Sequence, residues 1–138
     1  MTLYILDTDH LSLYGRNHPA LIERLQVASV NLTTTAINVE EQLRGRLAQV
    51  AEAKAGISST NAYRWLPETV TLLADFEILQ FTEEAQLIYQ DFKSQRIRVG
   101  TQDLRIASIV IAHNGILLSR NLRDFEKTPK LIVLDWTV

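Results

Sequence analysis

The sequence predicts an α/β fold: one domain over residues 1–138, with a mainly parallel five-stranded sheet and helices on both of its faces. Short apolar runs of strand length alternate along the chain with longer segments whose apolar residues recur at helical spacing. The first run, Leu3-Tyr4-Ile5-Leu6, is short and almost wholly apolar, which is typical of a parallel strand that is buried on both faces. Right-handed crossovers between such strands place helices on either side of the sheet. No internal repeat or Pro/Gly-rich linker divides the chain.

The predicted strands are short segments, in chain order Leu3–Leu6, Val30–Thr34, Ile78–Phe81, Ile116–Leu118 and Leu131–Leu134. The segments between them carry apolar residues three and four positions apart, which indicates helices. These helices comprise a short one through Leu11 and Leu13, one from near Pro19, one from Ile37 to Ala55, a segment from Thr60 to Ala74, one from Glu83 to about Gln95, and one beginning at Asp103.

Local signals set several of these boundaries. Pro19 suits the first turn of a helix, Thr82 is a candidate N-cap, and Asn114-Gly115 is a helix stop. Pro67 should mark a break, or the first turn of a second helix. Two helices separate the third and fourth predicted strands, where a simple crossover needs one. Either the first of them lies across the sheet edge, or the connecting loop carries the chain back.

The composition narrows the classes of function. The 138 residues are 46% hydrophobic and 22% charged, which is ordinary for a globular protein. The absence of cysteine excludes disulfides, zinc–thiolate sites and thiol nucleophiles, and fits a reducing cytoplasm. No apolar run approaches the roughly 20 residues that span a bilayer, so no membrane association is expected. The net charge is −2, but ten of the fourteen cationic residues are arginines, which suit bidentate phosphate contacts.

Acidic and amide side chains follow or flank several predicted strands. Asp7 directly follows strand one, Glu41 lies in the helix after strand two, and Asp103 opens the helix before strand four. Asn121 and Asp124 follow strand four. Ligand sites of open parallel sheets form beyond the carboxyl ends of the strands, so we expect these groups to meet at one edge. Clustered carboxylates repel one another, which lowers the stability of the fold. A hard divalent cation such as Mg²⁺ or Mn²⁺ bound between them removes this repulsion.

Each acidic residue also has a purely structural interpretation. Asp7 and Asp103 could be N-caps only, and Asp9 could be a cap or a turn residue. Glu40 and Glu41 could both be solvated on a helix surface. Their helical phases differ by about a hundred degrees, but this difference does not choose the ligand. His10, although near these acids in sequence, is expected at the surface or in packing.

Four short motifs occur in order along the chain. The first strand ends in Leu6-Asp7-Thr8-Asp9, and residues 41–45 have the pattern Glu-x-x-x-Gly. Residues 100–103 have the pattern Gly-x-x-Asp, and residues 118–125 are similar to a Thr-x-Asp/Asn stretch that ends in an acid and Phe. With these motifs the chain resembles PIN-domain nucleases over nearly its whole length, especially the VapC-like toxins of prokaryotic toxin–antitoxin pairs. The resemblance implies a single PIN-like domain.

The resemblance also implies a site and an activity. The activity would be Mg²⁺- or Mn²⁺-dependent hydrolysis of RNA phosphodiester bonds. Asp7, Glu41 and Asp103 would be the metal ligands, and Asn121 stands where many relatives carry a fourth acid. The side chains of Thr8, Asp9, Ser119 and Asp124 would contact and orient the metal ligands.

Arg44, Arg105 and Arg120 are candidates for lining an RNA groove, and a homodimer and a cognate antitoxin protein are implied partners. A receiver-type phosphoacceptor and a haloacid-dehalogenase-like phosphatase lack their required residues here. A non-catalytic PIN-like module that binds RNA or protein stays open as an alternative.

Overall fold

The computed structural model describes residues 2–54 and 56–138, apart from the side chain of Ile57. The strands are β1 Tyr4–Leu6, β2 Thr33–Thr35, β3 Glu77–Leu79, β4 Ile116–Leu118 and β5 Val133–Leu134. The helices are α1 Thr8–Gly15, α2 Pro19–Ala28, α3 Ala36–Glu52, α4 Ile57–Ala74, α5 Glu83–Ser94, α6 Thr101–Ala112 and α7 Leu122–Phe125. The predicted α/β class with parallel strands is confirmed. None of these helices, within the described residues, is long and apolar enough to cross a membrane.

The sheet consists of two adjacent parallel pieces, one in the order β1-β4-β5 and one formed by β2 and β3. In the first piece Leu6 pairs with Leu118. The pieces are joined by a side chain, because the Thr34 hydroxyl donates to the Leu6 carbonyl oxygen at 2.7 Å. The expected single sheet is therefore interrupted between β1 and β2, where a threonine hydroxyl takes the place of the backbone ladder.

The core lies on both faces of β1 and β4. Alternate side chains of a strand point to opposite faces. Ile5 packs in one cluster with Ile109 of α6, whereas Leu6 packs in another with Leu11 of α1 and Leu21 of α2. This arrangement explains why these strands are apolar at every position, and it orients their carboxyl ends towards a single edge.

Pro67 does not break the helix that contains it, so this expectation was wrong. The helix α4 continues through Pro67 as a single element. The side chain of Pro67 is not buried, so the backbone hydrogen bond that it removes lies towards solvent. The side chains of Ala62, Thr69 and Leu73 are buried on either side of it, and this packing holds both halves in line.

Several predicted boundaries shift in the structure. The second strand comprises Thr33–Thr35 rather than Val30–Thr34. The helix expected to reach Ala55 ends at Glu52, and Ala55 itself lies outside the described residues. Asp103 does not open its helix, because α6 begins at Thr101 with Gly100 at the N-cap. The short helix α7 was not predicted, since its four residues are too few for a helical period.

The two helices between β3 and β4 follow from the strand order. β3 pairs with β2, whereas β4 pairs with β1. The connection must therefore pass two strands instead of linking neighbours, and α5 and α6 pack against each other along that path. The Thr82 side chain caps α5 by accepting a hydrogen bond from the Ala85 backbone N–H at 3.2 Å, as predicted.

Candidate active site

Asp7 is held rigidly at the carboxyl end of β1. Its side chain is buried, and Oδ1 accepts from Asn38 Nδ2 at 2.8 Å while Oδ2 accepts from Ser119 Oγ at 2.7 Å. Burial raises the pKa of Asp7 above its ordinary value, the Ser119 hydrogen bond opposes this, and the negative charge of Asp9 adds to it. Although Asp7 stands at the N-cap of α1, its side chain makes no capping hydrogen bond there.

Asn38 is a site residue that the sequence motifs did not reveal. It is fully buried, and its Oδ1 accepts from Thr35 Oγ1 at 2.7 Å. Its backbone N–H donates in return to Thr35 Oγ1, so the pair resembles a capping box at the start of α3. The amide nitrogen of Asn38 then donates to Asp7 and, at 3.0 Å, to Thr8 Oγ1. The Thr-x-x-Asn pattern was the available signal.

Glu40 and Glu41, which helical phase did not distinguish as ligands, have different partners in the structure. Glu41 Oε1 accepts from Thr8 Oγ1 at 2.7 Å, so it joins the network around Asp7. Glu40 instead accepts from Gln102 Nε2 at 2.8 Å and forms an exposed ion pair with Arg44. Glu41 therefore lies at the acidic edge of the sheet, and Glu40 lies outside it.

Asp103 lies in the first turn of α6 and faces the other acids. Burial, together with the negative charges of Asp7 and Glu41, raises the pKa of Asp103 to about 6. Asn121 Nδ2 approaches Asp103 Oδ2 at 3.4 Å, which is a long hydrogen bond. Within the described part of the chain, no Lys or Arg forms an ion pair with Asp7, Glu41 or Asp103. We call these three residues, with Asn121, the acidic edge.

Asp9 and His10 link the acidic edge to the C-terminal segment. Asp9 Oδ2 accepts from the Arg120 backbone N–H at 3.0 Å, and Asp9 Oδ1 lies 2.5 Å from His10 Nδ1. His10 Nε2 accepts from the Trp136 backbone N–H at 3.2 Å, so the ring proton is assigned to Nδ1. His10 is fully buried, hence a packing residue and not a surface one.

The remaining predicted residues lie around this edge. Asp124 Oδ1 lies 3.5 Å from Lys127 Nζ, and the negative charge of Asp124 contributes to the raised pKa of Asp103. Arg44 and Arg105 line a cleft of about 500 Å³ beside Gln102. Arg105 donates to Gln102 Oε1 at 2.6 Å and lies 4.9 Å above the Tyr89 ring. The side chain of Arg120 is exposed next to Ser119. The contact of these arginines with RNA stays a prediction.

The donor set fits a hydrated divalent cation better than a closed cage. In this side-chain arrangement, no three His, Asp or Glu of the described residues could hold one ion together. Hydrogen bonds from Asn38, Ser119 and Thr8 hold the carboxylates of Asp7 and Glu41 where they are. Mg²⁺ usually keeps several waters and binds through one or two carboxylates, and all donors here are hard oxygens.

The fold and the edge together define a class of protein: a parallel α/β domain with acidic side chains gathered at the carboxyl ends of its strands. The PIN domain family model matches residues 4–131, so the chain belongs to the PIN-domain family.

Relatives are similar to nearly the whole chain in sequence, and solved structures share its fold. Ribonuclease VapC2 of Rickettsia felis is 26% identical over 97% of this chain and 98% of its own length. Ribonuclease VapC1 of Haemophilus influenzae strain R2866 is 27% identical over 98% of each chain. A chain of VapBC-1 from nontypeable Haemophilus influenzae superimposes with a TM-score of 0.73 at 23% identity, covering 99% of this chain and 100% of that one. A chain of DNA-bound VapBC from Salmonella typhimurium gives 0.76 at 20% identity, covering 99% of each.

Proposed function

We propose that this protein is a Mg²⁺- or Mn²⁺-dependent endoribonuclease that hydrolyses RNA phosphodiester bonds and acts as the toxin of a type II toxin–antitoxin pair. The observation that carries the proposal is the acidic edge, where the negative charges of Asp7 and Glu41 raise the pKa of Asp103 and no Lys or Arg of the described residues is paired with them. Membership of the PIN-domain family and whole-length similarity to proteins named Ribonuclease VapC support it.

Each residue of the edge has a defined task in this proposal. Asp7 is the central metal ligand, since Asn38 and Ser119 fix both of its oxygens. Glu41, oriented by Thr8, and Asp103 share the remaining contacts through their own oxygens or through water. A divalent ion bound there would neutralise the scissile phosphate and lower the pKa of an attacking water.

Asn121 reduces the charge of the edge relative to a site with four acids. Its backbone N–H donates to Ser119 Oγ at 3.0 Å, which fixes its position after β4. The amide can position a water or a phosphate oxygen, but it adds no negative charge. A missing acid is the one observation that favours the alternative function, a PIN-like module that binds RNA or protein without cutting.

The proposed partners follow from the same reasoning. Single-stranded or looped RNA is the proposed substrate, because its phosphates and bases are accessible. A cognate antitoxin protein and a second copy of this chain are the proposed protein partners. Similarity to a chain of a solved toxin–antitoxin complex from Klebsiella pneumoniae, with a TM-score of 0.71 at 17% identity, supports the first of these. The cysteine-free composition supports a cytoplasmic location.

The test is cleavage of mixed RNA by the purified protein during a titration with Mg²⁺ or Mn²⁺, compared with EDTA. We expect metal-dependent cleavage, no cleavage in EDTA, and a fall in kcat/KM of at least about a hundredfold for Asp7→Asn with an unchanged fold. Full activity of Asp7→Asn, or cleavage that persists in EDTA, would contradict the assignment. RNA binding without cleavage at any metal concentration would establish the non-catalytic alternative.

A further inference from the structure

A polar groove runs away from the acidic edge between α1, α3 and α4. It consists of two adjoining clefts of about 230 and 530 Å³, which share Ser12, Arg16, Gln42, Arg46 and Gln49. The smaller cleft also touches Thr8 and Glu41, and the larger one extends to Trp65. We call this continuous surface the α3–α4 groove. It therefore begins at a residue of the acidic edge and ends at an aromatic ring.

Two arginines that line the groove have no carboxylate partner among the described residues, whereas the one carboxylate that lines the larger cleft, Glu68, pairs with Arg64 on the same helix. Arg46 Nε donates to the buried Thr69 Oγ1 at 2.9 Å, Nη1 donates to Gln49 at 3.1 Å, and the guanidinium lies 5.7 Å from the centre of the Trp65 ring. These contacts hold the guanidinium in place without neutralising it. Neither Arg46 nor the exposed Arg16 forms an ion pair in the part of the chain that the structure describes.

Gly45 exposes the backbone of α3 in the part of the groove that also contains Glu41. It lies inside α3, one turn after Glu41, and also lines the smaller cleft. A Cβ atom built at Gly45 would meet no heavy atom within 4 Å, so packing does not require glycine here. Glycine inside a helix is unfavourable compared with alanine. The bare backbone at this position instead allows a ligand to approach the helix closely.

We propose that the α3–α4 groove binds the RNA strand on one side of the scissile phosphate, with Arg16 and Arg46 contacting backbone phosphates. The inference rests on the proposed nuclease function. A strand cleaved at the acidic edge must leave it in both directions, and this groove offers it cations, amide donors and the Trp65 ring. An acidic peptide could meet the same arginines in the larger cleft, but only a strand cleaved at the acidic edge must run through the smaller cleft that joins Glu41 to Arg16 and Arg46.

The test uses Arg16→Gln and Arg46→Gln, with Arg24→Gln as the matched control. Arg24 lies on α2 and donates to the Val138 carbonyl oxygen at 2.7 Å, outside the groove. With a single-stranded oligoribonucleotide and Mn²⁺, we expect each groove variant to raise KM about tenfold and to change kcat by less than about twofold. In EDTA, the slope of log affinity against log salt should become shallower by about 0.7 for each phosphate that the variant no longer neutralises.

The outcomes separate this inference from the proposed function. An inactive wild-type protein that binds no RNA defeats the proposed function. A wild-type protein that cuts RNA, with Arg16→Gln indistinguishable from Arg24→Gln in KM and salt slope, overturns the groove assignment alone. Arg16 is exposed and forms no ion pair among the described residues, so this variant stays informative even if Arg46→Gln is unstable. The groove variants could also keep their affinity for RNA and lose all affinity for a glutamate-rich peptide that the wild-type protein binds. That result would make the groove a protein-docking surface and would also overturn the assignment.

Discussion

Two regions that share the helix α3 differ in how their charges are compensated. At the acidic edge, Asp7, Glu41 and Asp103 bring negative charges together, and hydrogen bonds from neutral side chains fix two of them. In the α3–α4 groove, Arg16 and Arg46 carry positive charges that no carboxylate of the described residues pairs with. The two regions meet at Glu41, which lines the smaller cleft of the groove.

On α3 itself, Glu41 lies at the acidic edge and Arg46 lies in the groove, and the two side chains form no ion pair with each other. Exposed i, i+4 pairs such as Glu40 with Arg44 neutralise charge on the outer surface of α3 and contribute little to stability. Glu41 and Arg46, by contrast, form no ion pair among the described residues, so their charges are available to a ligand. A phosphodiester strand together with a divalent cation complements both regions, because the strand carries the negative charge and the ion the positive one.

After Asp7→Asn, the largest effect is expected from replacing one of the two neighbouring glutamates of α3 with glutamine. Glu41→Gln should lower kcat/KM for RNA about 10- to 100-fold, because the amide keeps the Thr8 hydrogen bond but removes a charge from the acidic edge. Glu40→Gln is the matched control, and we expect a change of less than about threefold because its partners are Gln102 and Arg44. Steady-state cleavage kinetics at saturating metal measure both. An equal loss of kcat/KM in the two variants would show that Glu41 and Glu40 do not differ in their contribution to cleavage.

A smaller effect should appear in the pH dependence of stability. The pKa of Asp103 is raised to about 6 in the folded protein from its ordinary value of 3.8, so the folded state keeps a proton that the unfolded chain loses. Stability in EDTA should therefore fall as the pH rises through this window, and the penalty is complete above it. Because Asp103 is only partly buried, we expect Asp103→Asn to be more stable than wild type by about 1 kcal/mol at pH 7.5 and by nothing near pH 4.

Urea unfolding at the two pH values measures this effect. Asp91→Asn serves as the control, because Asp91 is an exposed residue on α5 whose side chain accepts from Gln95 at 2.8 Å. If Asp103→Asn raised the free energy of unfolding equally at both pH values, the Asp103 carboxylate would not be destabilised by burial and by the neighbouring negative charges. The acidic edge would then resemble an ordinary solvated surface.

The smallest expected effect concerns the floor of the groove. Gly45→Ala should raise the free energy of unfolding by about 0.5–1 kcal/mol, because alanine favours the helix and the new methyl group meets open space. It should at the same time raise KM for RNA severalfold by filling the approach to α3. Chemical denaturation and cleavage kinetics on one preparation test the pair of results. A more stable protein with an unchanged KM would show that no strand lies against this turn.

Much of the fold could be predicted from the sequence because strand and helix periods are local properties. The apolar runs at 3–6 and 116–118 identified the central strands, and the parallel topology predicted that Asp7 would lie at a carboxyl-end edge. The continuity of α4 through Pro67 could not be predicted, because it depends on the burial of residues on both sides of the proline. The strand order likewise depends on pairing between distant segments.

Three conclusions could be reached without coordinates, because each follows from local periodicity or from short motifs: the α/β class, the edge of the sheet at which acids were expected, and the resemblance to PIN-domain nucleases. The positions of three residues depend on tertiary contacts: Glu41, unlike Glu40, accepts from Thr8 beside Asp7, Asn38 supports the edge, and His10 is buried behind Asp9. The physical reason is distance along the chain. The Thr8–Glu41 hydrogen bond joins residues 33 apart and the Ser119–Asp7 bond joins residues 112 apart, so no local pattern records them.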